Sequence, residues 1–131
     1  VNVYVNNDDV RLAEELSVEQ FMAYAAMGEL PQKVRDSLKQ AADLQRSVMD
    51  AQRQLTQVQA EITAISTEQA RLRENMKTVD NSSDYYKRLI NKLDEQETQI
   101  ETLQTRQDEL QTELETRRKA LRDYLNGLSV V

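Results

Sequence analysis

Apolar residues recur along this chain in alternating steps of three and four on both sides of Asp80-Asn81-Ser82-Ser83. Before that stretch the series runs Ala41, Leu44, Val48, Ala51, Leu55, Val58, Ile62, Ile65, Gln69, Leu72, Met76 and Val79. After it come Tyr86, Leu89, Leu93, Gln96, Ile100, Leu103, Gln107, Leu110, Leu114, Arg117, Leu121, Tyr124 and Leu128. A period of 3.5 residues sustained this long predicts helices that supercoil about a partner. No Gly or Pro interrupts residues 32–126, which are dominated by good helix formers. The predicted fold is all-α: a long antiparallel coiled-coil helical hairpin over residues 31–128, turning near 80–84.

The two series mirror each other. If the chain turns at Ser82 and Ser83, Val79 meets Tyr86, Met76 meets Leu89, Leu72 meets Leu93, Ile65 meets Ile100, and Leu55 meets Leu110. Gln69 falls opposite Gln96. Two readings of that pair stand open. Facing amides that bond each other form a polar layer fixing the register, since a slip sets each against hydrocarbon; alternatively, both reach to solvent. Gln107 and Arg117, opposite Val58 and Val48, have no polar counterpart and are expected to snorkel. The same pairing would also be satisfied by two straight helices from different chains, so monomer, dimer and domain-swapped dimer are all compatible with the pattern.

Ahead of the hairpin, residues 1–16 read as the strand-like end of a preceding β-domain or a linker. Val1-Asn2-Val3-Tyr4-Val5 alternates with period two, Asn6-Asn7-Asp8-Asp9 is turn chemistry, and Val10-Arg11-Leu12 could complete a β-hairpin. Residues 17–28 predict a short helix, opened by the capping box Ser17-Val18-Glu19-Gln20 and ended by Gly28. Extra apolar residues at the open end of the hairpin, Leu38, Ala42, Met49 and Leu125, offer that helix a seat, with Phe21 as its anchor. Pro31 belongs near the first turn of the following helix. At the bend, Ser82 or Ser83 should cap the second arm, with Asp84 set against its positive end. Gly127 marks that arm's far end and Leu128 to Val131 reads as a short apolar tail.

Composition narrows the class. The chain is 39% hydrophobic and 31% charged, with two Gly, one Pro and a single Phe, which suits long helices better than an aromatic-rich core. Arms of about 45 residues each make a rod on the order of 65 Å. Without Cys there are no disulfides, zinc thiolates or thiol nucleophiles. No run approaches the ~20 apolar residues of a membrane span, so no membrane insertion is expected. No basic-then-apolar leader is present, and the chain, opening on Val, reads as a piece of a longer precursor. The net charge of −6 sits mostly in residues 1–32, while the two arms together are neutral. Phosphate neutralisation needs a basic face, so a nucleic-acid partner is not expected.

Candidate chemistry is sparse. There is no His, no Cys, no Gly-rich phosphate loop and no metal-ligand spacing, so no catalytic, cofactor or metal residue is assigned and no small-molecule substrate is expected. Carboxylate pairs such as Asp94-Glu95 and Asp108-Glu109 occupy positions that the seam leaves solvated, where no pocket would perturb them. Around the bend gather Arg71, Arg73, Lys77, Lys87, Arg88 and Lys92, beside Tyr85 and Tyr86 and diluted by Glu68, Glu74, Asp80 and Asp84. This is either a contact point for an acidic protein partner or ordinary charge pairing one helical turn apart.

Arg71-Leu72-Arg73-Glu74-Asn75-Met76-Lys77, Ser83-Asp84-Tyr85-Tyr86-Lys87-Arg88-Leu89, Leu93, Gln96-Glu97, Ile100 and Tyr124-Leu125-Asn126-Gly127-Leu128 together resemble the helical C-terminal region of bacterial proteins built around a β-rich domain of unknown function, some described as mucoidy-inhibitor-like. The resemblance implies a β-domain ending in strands, then a short helix and a closing helical hairpin, and it implies export to the periplasm or beyond. It carries no catalytic residue onto this chain. The functional expectation is a non-enzymatic spacer, oligomerisation or protein-interaction arm of a larger exported protein. One alternative is a chaperone-like clamp of the prefoldin type, which normally places β-segments between its helices. Another is an accessory arm of an enzyme whose active site lies in a missing domain.

Overall fold

A computed structural model describes residues 3–4 and 31–130, with side chains described for 31–128. The element order is β1 (Val3–Tyr4), α1 (Gln32–Met76), α2 (Asp84–Gly127) and β2 (Ser129–Val130). The two helices pack against each other in a hairpin-like arrangement. Ser37 is reached from Tyr124, Ser47 from Arg117, Gln54 from Arg106, and Gln69 reaches Glu97, so partners descend on α2 as they rise on α1.

The helix boundaries have local causes. Pro31 precedes α1 and its carbonyl accepts the Arg35 N–H at 3.0 Å, the first bond of the helix. At the other end the chain tightens into i→i+3 bonds, with Lys77, Thr78 and Val79 donating to the Glu74, Asn75 and Met76 carbonyls. α2 includes Gly127 and ends without any left-handed residue, the Leu128 N–H donating to the Leu125 carbonyl. Its last turn contains no base. The nearest base on α2, Arg122, lies further back.

Val3–Tyr4 pairs antiparallel with Ser129–Val130, Val3 opposite Val130. The stretch expected to trail off as an apolar tail therefore supplies a strand. The expected β-hairpin partner Val10–Leu12, the helix over 17–28 and its anchor Phe21 lie outside the described residues.

Tertiary contacts group the chain into two compact units, one comprising Arg53–Gln111 and the other the described residues up to Gln52 and from Thr112 onward. Within Arg53–Gln111 every position of the expected seam, Leu55 to Val79 and Tyr86 to Leu110, is buried or half-buried. Only Glu68, Asn75 and Ser83 join them. The most deeply buried apolar side chains are Leu72 and Leu110, with Leu55, Leu89 and Ile100 close behind.

In the other unit burial spreads beyond the seam. Its core is Ala41, Ala42, Leu121 and Leu125, with Leu38, Leu44, Val48 and Tyr124 packed against it. Gln45 is fully withdrawn from solvent, and Leu114 and Ala51 are buried. Arg117 does not snorkel. It donates to the Ser47 carbonyl at 2.8 Å and pairs with Glu113, so its charge is held half-buried against α1. The Tyr124 hydroxyl donates to the Ser37 carbonyl at 3.0 Å. Of the expected open-end anchors, Leu38 and Leu125 sit in this core, whereas Met49 is 44% exposed.

Candidate functional site

The bend is built by one carboxylate and two hydroxyls. Asp80 Oδ1 accepts from the Ser82 N–H and Ser82 Oγ, both at 3.0 Å. Its carboxyl is held below the usual carboxylate range, first by the backbone bond from Ser82 and then by the hydroxyl. Ser83 donates its N–H and Oγ to the Asp80 carbonyl, while Ser83 Oγ accepts the Tyr86 N–H at 3.1 Å. That last bond makes Ser83 the N-cap of α2, and Asp84 follows in the first turn. The turn residues of the sequence thus form a turn by bonding their own backbone.

The basic and aromatic residues of the bend fall into two groups. In the first, the Arg88 guanidinium lies 5.7 Å over the Tyr85 ring, a cation–π contact, and Tyr85 is 46% exposed. Arg71 pairs with Glu68 at 2.5 Å, and Lys92 reaches the same carboxylate from α2 at 3.7 Å. The Arg71 bond is the main cause of a lowered Glu68 pKa and a raised Arg71 pKa. In the second group, Arg73, Lys77 and Tyr86 line a shallow cleft with Met76 and Leu93. Here Arg73 faces Glu97 at 3.6 Å and Lys77 pairs with Glu74 at 3.0 Å. Lys87 is exposed and Tyr86 half-buried. Exposed pairs of this kind are screened by solvent, so they shape the charge of the surface more than they hold the fold.

The two seam glutamines are both buried, at 3% and 8% exposure. Gln69 Nε2 donates to Glu97 Oε1 at 2.9 Å rather than to Gln96. Gln96 Oε1 is buried without a hydrogen-bond partner. The difference arises because Glu97 follows Gln96 on the helix, and an ionised carboxylate is a stronger acceptor than an amide.

A groove of about 520 Å³ opens beside the seam, lined by Ala64, Ile65, Leu103, Thr98 and Thr102, with Glu61 and Gln99 at its rim. Its sequence signal is a set of small side chains where a solvated helix face would carry long ones: Ala60, Ala64, Thr98, Thr102 and Thr105. The threonine hydroxyls bond carbonyls of their own helix, Thr98 to Asp94, Thr102 to Thr98 and Thr105 to Glu101.

Among the described residues no cluster of acidic side chains could hold a metal ion, and no helix is long and apolar enough to cross a membrane. No protein-family model, curated protein or solved structure matches this chain.

Proposed function

We propose that this chain is an antiparallel coiled-coil hairpin acting, without catalysis, as a spacer, oligomerisation or protein-interaction arm of a larger exported bacterial protein. The observation that carries the reading is the burial pattern of Arg53–Gln111. Seam positions are withdrawn from solvent at heptad spacing on both helices, and nearly everything between them is exposed and polar. A surface of that kind is suited to presenting side chains along its length. The short connection of residues 77–83 supports a simple hairpin over a clamp with β-segments between its helices. The bend, with Tyr85, Arg88 and Arg71 on one side and Arg73 and Lys77 on the other, is the contact region we assign to a protein partner.

Two experiments test this. The protein lacks cysteine, so spin labels on cysteines replacing Gln54 and Arg106 report on those two positions alone. At low labelled fraction the hairpin gives a short intrachain distance; one continuous helix would separate them by about 78 Å. In the parent protein, photo-crosslinking residues at Tyr85 and Lys87 should yield protein adducts that the same residue at Thr63 does not. Absence of adducts, together with an unchanged phenotype when the arm is deleted, would sink the interaction reading.

A further inference from the structure

Arg88 and Glu61 each carry a charge that no opposite charge meets among the described residues. Arg88 rests over the Tyr85 ring, and Glu61 stands at the rim of the small-residue groove. Both belong to one face of the unit Arg53–Gln111. Glu61 lies seven residues from Glu68, Ala64 seven from Arg71, and Arg88 seven from Glu95, which is in turn seven from Thr102. Seven residues are two helical turns, so these positions stack on one side. The Glu68–Lys92 bridge shows that the corresponding sides of the two helices adjoin.

Along this face the charge changes sign. Toward the bend, Arg71, Arg88 and Lys92 outnumber Glu68; toward the groove stand Glu61 and Glu95. Arg88 is separated from the groove by the 11 to 15 residues leading to Gln99 and Leu103, about 16–22 Å of helix, so it cannot reach Glu61 of its own chain. A second copy turned by a two-fold axis between them would bring each Arg88 onto the other's Glu61. We propose that two copies of this chain pair through this face, Arg88 of each against Glu61 of the other, with the exposed Tyr85 laid toward the partner's groove.

This proposal deepens the interaction-arm reading and rests on it. The groove is suited to being covered: Ile65 and Leu103 are only half-buried, and the Thr98 and Thr102 hydroxyls already have acceptors at 3.3 and 3.1 Å. Covering them leaves no unsatisfied donor. Ala64 and the threonines permit close approach, while Tyr and Arg are the residue types that anchor interfaces. Two adjacent helices about 20 Å across, over the roughly 30 Å from Tyr85 to Arg106, offer about 600 Å² per copy, the small end of specific association. A two-fold contact also closes, using the same surface on both copies.

Sedimentation equilibrium of the intact 131-residue chain over a wide concentration range tests it, with circular dichroism confirming that each variant remains helical. A reversible monomer–dimer equilibrium is expected. Glu61→Arg and Arg88→Glu should each weaken it about tenfold or more, and the double variant should recover most of the loss. Glu101→Lys, which alters charge in the same unit at a heptad position outside this face, should leave it unchanged. A chain that stays monomeric throughout, or a dimer indifferent to the two reversals, overturns the proposal, as does failure of the double variant to recover. The Gln54–Arg106 distance separates this from failure of the arm reading: short in a monomer, it preserves the hairpin and removes only the pairing.

Discussion

Leu125 and Ile90 occupy the same heptad position on α2, five heptads apart, yet Leu125 is 5% exposed and Ile90 is 45% exposed. Gln45 and Gln52 repeat the contrast on α1, one fully buried and the other exposed one heptad later. In the unit Arg53–Gln111 the helices bury a single stripe against each other. In the other unit the buried surface widens to Ala42, Gln45 and Leu125, positions outside the stripe. Identical spacing therefore carries different energetic weight in the two units, because a helical repeat specifies which side a residue occupies but not what covers that side.

Truncation tests the comparison most severely. Leu125→Ala should cost about 2–5 kcal/mol, as for other buried leucines, whereas Ile90→Ala should cost under about 1 kcal/mol. Denaturant midpoints of the two variants decide this, and similar losses would dissolve the distinction. The seam itself should respond alike in both units, with Leu121→Ala and Leu110→Ala each costing about 2–5 kcal/mol. At the bend, Ser83→Ala removes the cap of α2 and should cost about 1 kcal/mol, read from the same denaturation curves.

The polar seam gives a smaller effect of opposite sign. Gln96→Leu removes a buried acceptor without a partner, and should stabilise the chain by about 1 kcal/mol. A loss would reveal that Gln96 is satisfied in solution. The smallest effect concerns Asp80. Its folded pKa lies below its ordinary value, so its contribution is present above the unfolded carboxylate range and is lost as pH falls through the folded pKa. Ser82→Ala should raise that pKa part of the way back, the backbone bond remaining. Carbon-detected NMR titration of the Asp80 carboxyl measures it, and an unmoved midpoint would exclude the hydroxyl's share.

Much of the local structure was legible from residue order. The bend at Asp80–Ser83, the cap at Ser83, the start of α1 after Pro31 and the seam through Arg53–Gln111 follow from short-range rules of turn chemistry, capping and periodicity. The bend residues expected to form a contact region are present there, but their division into two groups depends on which helix sides adjoin. The bond from Gln69 to Glu97 instead of Gln96, the hold of Arg117 on the Ser47 carbonyl, and the pairing of β1 with β2 are choices among competing partners that a linear pattern does not rank.

Sequence alone determined the helical character of residues 32–126, the break between the two helices and the stripe they bury, because hydrogen bonding, capping and side-chain periodicity act within a few residues. Tertiary structure decided which polar groups are satisfied, how wide the buried face becomes in each unit, and where small side chains open a groove. Those outcomes depend on distances between residues tens of positions apart, which only packing sets.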